Sequence, residues 1–299
     1  MKRILLAVLA FCITSLTFAG CSNIASQNAL VNFFEYEGVQ SISDIQEIKL
    51  PNKYSKLCSS YKFTYSSDGY SVKAYISIPL DCSSENKKSC LLYNRGGNSR
   101  IGLLSDTDTA QICAEINRVV IASQYRGADS GTGKDEFGGA DLNDLIKLID
   151  LCESTFDFTD IKDFCVAGVS RGGMMTYMLA RSDTRVSRIV AVSAVSDLKK
   201  AYNDREDMRE LLKSSIGGSP ELLPSEYENR SAICWAEEIT TPVLMIHSKY
   251  DEQVSYSQAE SLKAEFDKNG LACTLITHDD KTHGMHKEDI TTIKNWLSE

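Results

Sequence analysis

Three side chains far apart in the sequence, Ser170, Asp251 and His283, could together carry out acyl transfer. A serine hydroxyl is a weak nucleophile until a base takes its proton, and an imidazole serves as that base best when a carboxylate orients it. Ser170 lies in Gly168-Val169-Ser170-Arg171-Gly172, the G-x-S-x-G spacing. The apolar run Phe164-Cys165-Val166-Ala167 precedes it, and a helix-forming run, Met174-Met175-Thr176-Tyr177-Met178-Leu179-Ala180, follows it. Strand, sharp turn and helix in that order hold a serine hydroxyl clear of a sheet. Strand and helix backbones nearly touch at such a turn, so the positions two before and two after the serine must lack a Cβ. The N–H of Arg171 then sits at a helix N-terminus, where it can bind the oxyanion that develops on an attacked carbonyl.

The acid and the base are expected later in the chain, in that order, each in a loop after a strand. Residues 242–247 read as an apolar strand, and Asp251 follows after a short turn, with Glu252 as the alternative acid. Residues 271–277 read as the last strand, and the loop after it holds His278, His283 and His286. His283 is the expected base, because it lies mid-loop beside Gly284. His278 would still be at the strand end, and His286 would open the closing helix. A second oxyanion donor is expected from Arg95-Gly96-Gly97, which follows the short strand at 90–93. Either the Gly96 N–H or the Arg95 side chain could supply it. Arg126, beside a glycine-rich loop over residues 125–139, and the stretch 197–240 are expected to shape the substrate pocket.

These residues need a sheet to hold them. Residues 61–65 and 70–78 alternate polar and apolar around Ser66-Ser67-Asp68-Gly69, which predicts a β-hairpin. Buried strands are predicted at 90–93, 118–124 and 188–195, and helices at 107–117, 141–151, 257–269 and 287–297. Residues 197–240 are charged and helix-prone, with Pro220 and Pro224 expected to break them. Alternating strands and helices after an antiparallel hairpin imply an α/β class with a mostly parallel, doubly wound sheet and a helical insertion. One catalytic domain is expected over 53–299, preceded by an irregular tether over 21–52.

The 299 residues carry a net charge of −9, which becomes −11 without Lys2 and Arg3 and argues against a nucleic-acid partner. Met1-Lys2-Arg3 followed by an apolar run to Ala19 reads as a secretory signal over residues 1–20. Thr17-Phe18-Ala19-Gly20-Cys21 resembles a bacterial lipobox, although Phe18 stands where leucine is usual. Lipidation of Cys21 and a membrane anchor in the bacterial cell envelope are therefore expected. The competing reading is ordinary cleavage nearby that leaves Cys21 a thiol, and both readings export the chain. Of the ten cysteines, eight remain after Cys12 and Cys21 are set aside, and Cys82 and Cys90 flank a polar loop as the expected disulfide pair. Cys165 and Cys273 are expected to be buried thiols. No Cys/His spacing of the zinc type appears, so no metal and no cofactor are expected.

Taken together, these segments resemble the catalytic domain of the prolyl oligopeptidase family of serine peptidases, within the α/β-hydrolase fold. The matching stretches are TYSSDGYSVKAYISIP (64–79), LLYNRGGN (91–98), SQYRGADSGTGKDEFGGADLND (123–144), GVSRGGMM (168–175), ITTPVLMIHSKYDEQV (239–254) and DDKTHGM (279–285). The resemblance implies Ser170 as nucleophile, Asp251 as acid, His283 as base and residues 93–97 as the oxyanion-side loop. The sequence departs from the family at Arg95, where tyrosine or histidine is frequent, and at Ser248, where glycine is usual. The length leaves no room for the N-terminal β-propeller of many family peptidases. The expected activity is peptide-bond hydrolysis through an acyl-enzyme. An esterase acting on small or sugar esters is the alternative, and a catalytically idle envelope lipoprotein is the third possibility.

Overall fold

The computed structural model describes residues 31–98 and 101–298. The signal segment 1–20, the Cys21 lipidation site and the first part of the 21–52 tether lie outside the described residues. Among the described residues there are nine strands: β1 (Ile42–Glu47), β2 (Cys58–Ser67), β3 (Tyr70–Pro79), β4 (Lys88–Asn94), β5 (Val119–Ser123), β6 (Thr159–Val169), β7 (Val186–Val192), β8 (Val243–Ser248) and β9 (Cys273–His278). They form one sheet in the order β1-β2-β3-β5-β4-β6-β7-β8-β9. β1, β2, β3 and β5 pair antiparallel, and every pair from β5 to β9 is parallel.

The parallel strands read as continuous apolar runs because helices cover both faces. One face carries α2 (Asp108–Ile116) and α9 (Asp289–Trp296), with the short α1 (Asn52–Ser55) beside them. The other carries α3 (Leu142–Ser154), α4 (Arg171–Ser182) and α8 (Ser257–Lys268). Successive strand residues serve opposite faces: Leu91, Val120 and Leu244 pack under α2 and α9, while Leu92, Ile121 and Met245 pack under α3, α4 and α8. Each fully buried side chain of this size contributes about 1.5–3 kcal/mol, so the sheet is a stiff platform for the loops at its edge.

The β2–β3 hairpin runs in register from Cys58 opposite Pro79 to Ser67 opposite Tyr70. Its two turn residues, Asp68 and Gly69, have φ of 49° and 79°, the double left-handed turn that matches strand twist. Part of the expected irregular tether belongs to the fold. β1 pairs with β2, and Phe33 is fully buried against Tyr61, Phe63 and Phe156. Period-two patterning misses β1 for a physical reason. A register shift between Ser43 and Gln46, with Asp44 at φ 53°, puts the buried Ile42 and Ile45 three residues apart.

The insertion between β7 and β8 folds as α5 (Leu198–Asp204), α6 (Glu206–Ile216) and α7 (Pro224–Glu228). Gly217, at φ 106°, ends α6. Pro224 was expected to break a helix but begins one, since a first-turn position needs no N–H. The expected Cys82–Cys90 disulfide is absent: both thiols are buried and free. Cys82 Sγ donates to Phe158 O at 3.4 Å. Burial and the neighbouring Cys152 thiol push the Cys90 pKa well up. The two side chains therefore face different partners. Among the described residues, no helix is long and apolar enough to cross a membrane.

Candidate active site

The chain leaves β6 at Val169 and enters α4 at Arg171, so a single residue, Ser170, makes the turn. Its φ of 58° and ψ of −121° lie in a region that side-chain-bearing residues rarely adopt. The turn is locked by Ser170 N donating to Val192 O at 2.9 Å. A Cβ at Gly168 would collide with Gly172 O, and one at Gly172 with Asn94 O, which is why both positions are glycine. Arg171 N–H is in the first turn of α4, where no intrahelical acceptor exists. It is available to an oxyanion above Ser170.

β8 delivers Asp251 through the turn after Ser248. Asp251 Oδ1 accepts from Gln253 N at 2.8 Å and Val254 N at 3.1 Å, and Oδ2 from His283 Nδ1 at 2.8 Å. Burial alone would raise this carboxyl's pKa. The His283 ring and the two N–H groups outweigh burial and hold it below its ordinary 3.8. The carboxylate thus fixes a proton on His283 Nδ1 and leaves Nε2 as the lone-pair nitrogen. His247 Nε2, 3.5 Å from the same Asp251 oxygen, is hydrogen-bonded to Val254 O at 2.9 Å. Burial lowers its pKa from the ordinary 6.5, so His247 packs against the acid as a neutral ring.

Ser170 and His283 line one cavity of about 590 Å³, together with Arg95, Gly96, Gly97 and Arg171. Among the described residues, no hydrogen bond joins the Ser170 hydroxyl to His283; such contacts often tighten only when substrate binds. The other candidates for acid and base are engaged elsewhere. Glu252 pairs with Lys281 in solvent, His278 Nε2 lies 2.8 Å from Asp289 Oδ1, and His286 Nε2 lies 2.7 Å from Asp280 Oδ2.

The two options for the second oxyanion donor separate clearly. The Arg95 guanidinium is buried and donates to Gln124 O at 3.1 and 2.6 Å, to Gly96 O at 3.1 Å and to Ile101 O at 3.3 Å. It also stacks on Tyr125 at 4.7 Å. With its donors committed to carbonyls, it braces the loop. A Cβ on Gly96 would stand 3.4 Å from Ser170 Cβ, so the Gly96 backbone passes directly beside Ser170.

Arg126, expected in the substrate pocket, is not among the residues that line it. Its guanidinium is buried against Asp144 at 2.7 Å and Asp68 at 2.8 Å, tying the glycine-rich loop to α3 and the hairpin. Arg171 does line the cavity, but its side chain is buried. This guanidinium bridges Asp135 at 2.7 Å and Asp141 at 2.5 Å between the rings of Tyr125 and Phe137. Sequence reasoning valued Arg171 only for its N–H; Asp135 in the glycine-rich loop and Asp141 just after it were the available signal. The insertion does line the cavity as expected, through Leu198, Ala201, Met208 and Leu212 of α5 and α6.

A sequence model of the prolyl oligopeptidase family matches residues 105–298. The chain is 29% identical over 214 residues to the uncharacterized peptidase YtmA of Bacillus subtilis, covering 71% of this chain and 80% of that protein. It is 22% identical over 246 residues to dipeptidyl-peptidase 5 of Porphyromonas gingivalis, covering 78% of this chain and 36% of that one. A solved puromycin-hydrolyzing peptidase of Mycobacterium tuberculosis superposes with a TM-score of 0.69 at 20% identity, over 84% of this chain and 40% of that chain. The fold is the α/β-hydrolase fold. The chain spans most of the Bacillus relative but little more than a third of the dipeptidyl-peptidase.

Proposed function

This chain belongs to the prolyl oligopeptidase family, and from that premise we propose that it is an exported serine peptidase whose working unit is Ser170, Asp251 and His283. The observation that carries the reading is the 2.8 Å bond from His283 Nδ1 to a buried Asp251, with His283 and Ser170 lining the same cavity. Ser170 Oγ attacks the scissile carbonyl while His283 Nε2 takes its proton. The N–H groups of Arg171 and Gly96 hold the oxyanion of the tetrahedral intermediate. His283 then gives the proton to the leaving amine, which leaves an acyl group on Ser170. Water, deprotonated by the same nitrogen, releases the acid.

Leu198, Ala201, Met208 and Leu212 make the α5–α6 wall of the cavity apolar beside the Arg205–Asp207 ion pair, which suits a substrate with an apolar side chain next to the scissile bond. The signal-like segment and Cys21 support export and lipid anchoring in a bacterial envelope, and radiolabelled fatty-acid incorporation that disappears in Cys21→Ser tests this. Hydrolysis of peptide anilides and p-nitrophenyl esters, with Ser170→Ala as control, tests the peptidase reading. Cleavage of anilides abolished in Ser170→Ala is expected. Ester turnover without any anilide or peptide cleavage would replace peptidase by esterase.

A further inference from the structure

The loop that carries His283 begins at His278, the last residue of β9, and ends at Asp289, the first residue of α9. His286 lies within it. One ligand atom from each of His278, His286 and Asp289 lies within 4.8 Å of the others. The two imidazole centroids are 3.9 Å apart, and the Asp289 side chain is only 3% exposed.

His286 Nε2 is taken up by Asp280, 2.7 Å from its Oδ2. The other ring nitrogen, His286 Nδ1, is buried, has no hydrogen-bond partner, and faces Asp289 Oδ2 at 3.6 Å. A buried polar atom without a partner calls for a ligand, and a cation held between this nitrogen and the Asp289 carboxylate would pair with both.

We propose that His278, His286 and Asp289 bind one divalent transition-metal ion of the zinc class, which clamps the two ends of the loop bearing His283. Two imidazoles and one carboxylate suit zinc rather than the oxygen-seeking calcium or magnesium. Metal bonds of about 2.0–2.1 Å place tetrahedral ligand atoms roughly 3.3 Å apart, so side-chain shifts of about an ångström close the set. Asp280 supplies the outer contact that such a histidine normally has, a carboxylate on its distal nitrogen that fixes the tautomer. The site is structural with respect to the cavity: none of its three ligands lines the space shared by Ser170 and His283. It also stands independently of the hydrolase reading, because metal binding can be measured without substrate.

The test is calorimetric titration of Zn²⁺ into the chelator-stripped full chain without a histidine tag, paired with thermal melts. One equivalent bound with a rise in Tm is expected, and visible ligand-field bands should appear when Co²⁺ replaces Zn²⁺. His286→Ala and Asp289→Asn should abolish the stoichiometric event, and Asp280→Asn should weaken it by about 10–100-fold. Absence of stoichiometric binding to the wild-type chain overturns the proposal, whatever the variants do. Binding retained in both His278→Ala and His286→Ala overturns it equally.

Discussion

Two histidines five residues apart near the end of the chain, His278 and His283, each meet a buried carboxylate, and the two contacts are nearly identical. His283 Nδ1 is 2.8 Å from Asp251 Oδ2, and His278 Nε2 is 2.8 Å from Asp289 Oδ1; both acids are buried. They differ in what surrounds the ring. His283 faces the cavity that also exposes Ser170, whereas His278 is stacked on His286 at 3.9 Å. Both rings have an orienting acid, but only His283 shares a cavity with the Ser170 hydroxyl. The surroundings of the ring, rather than the carboxylate contact, distinguish the proposed base from the proposed ligand.

Mutating the two rings should break this comparison most sharply. His283→Ala should lower kcat/KM by roughly four to six orders of magnitude with the fold intact by circular dichroism. His278→Ala should cost less than about tenfold, since the loss acts only through loop order. Next come the acids. Asp251→Asn should reduce kcat by about 10⁴, because the amide favours the wrong imidazole tautomer. Asp289→Asn should spare kcat to within about tenfold, with zinc binding as its main casualty. Steady-state kinetics on one anilide substrate reads all four variants.

Gly96→Ala sharpens the first half of the comparison. The new methyl would meet Val169 O at 3.0 Å and shift the proposed oxyanion donor. A fall in kcat of about 10–1000-fold with KM little changed is expected, the cost of losing one such donor. The smallest expected effect is on stability against pH. His247 has a pKa lowered by burial from 6.5, and Asp251 has one held below 3.8 by its hydrogen bonds. For both, the unfolded chain binds the proton more readily, so stability is present at high pH and lost on acidification. Loss begins as pH falls below about 6.5 through His247 and continues below about 4 through Asp251. Melts across pH 8 to 5 should show Tm falling by a few degrees in the wild type and a flatter slope in His247→Gln.

The reach of sequence reading follows the same contrast. The elbow was legible because its glycines are forced by backbone contact. Asp251 and His283 could be singled out because a parallel sheet delivers its loops in chain order, and the structure joins the two side chains at 2.8 Å. Arg126 was not, because an arginine beside glycines looks exposed until α3 presents Asp144 to it. The Arg95 role was left open by sequence and turned on Gln124 O, a backbone acceptor 29 residues away. β1 was hidden by its bulge, and the histidine cluster by the absence of any cysteine spacing. Local rules registered what the backbone imposes and missed what side chains find across the fold.

A fluorophosphonate probe, read by mass spectrometry of the intact chain and its peptides, reports whether Ser170 is activated by His283. One adduct is expected, on Ser170, nearly abolished in His283→Ala and retained in His278→Ala. Labelling at another residue, or equal labelling of Ser170 in wild type and His283→Ala, would contradict that activation.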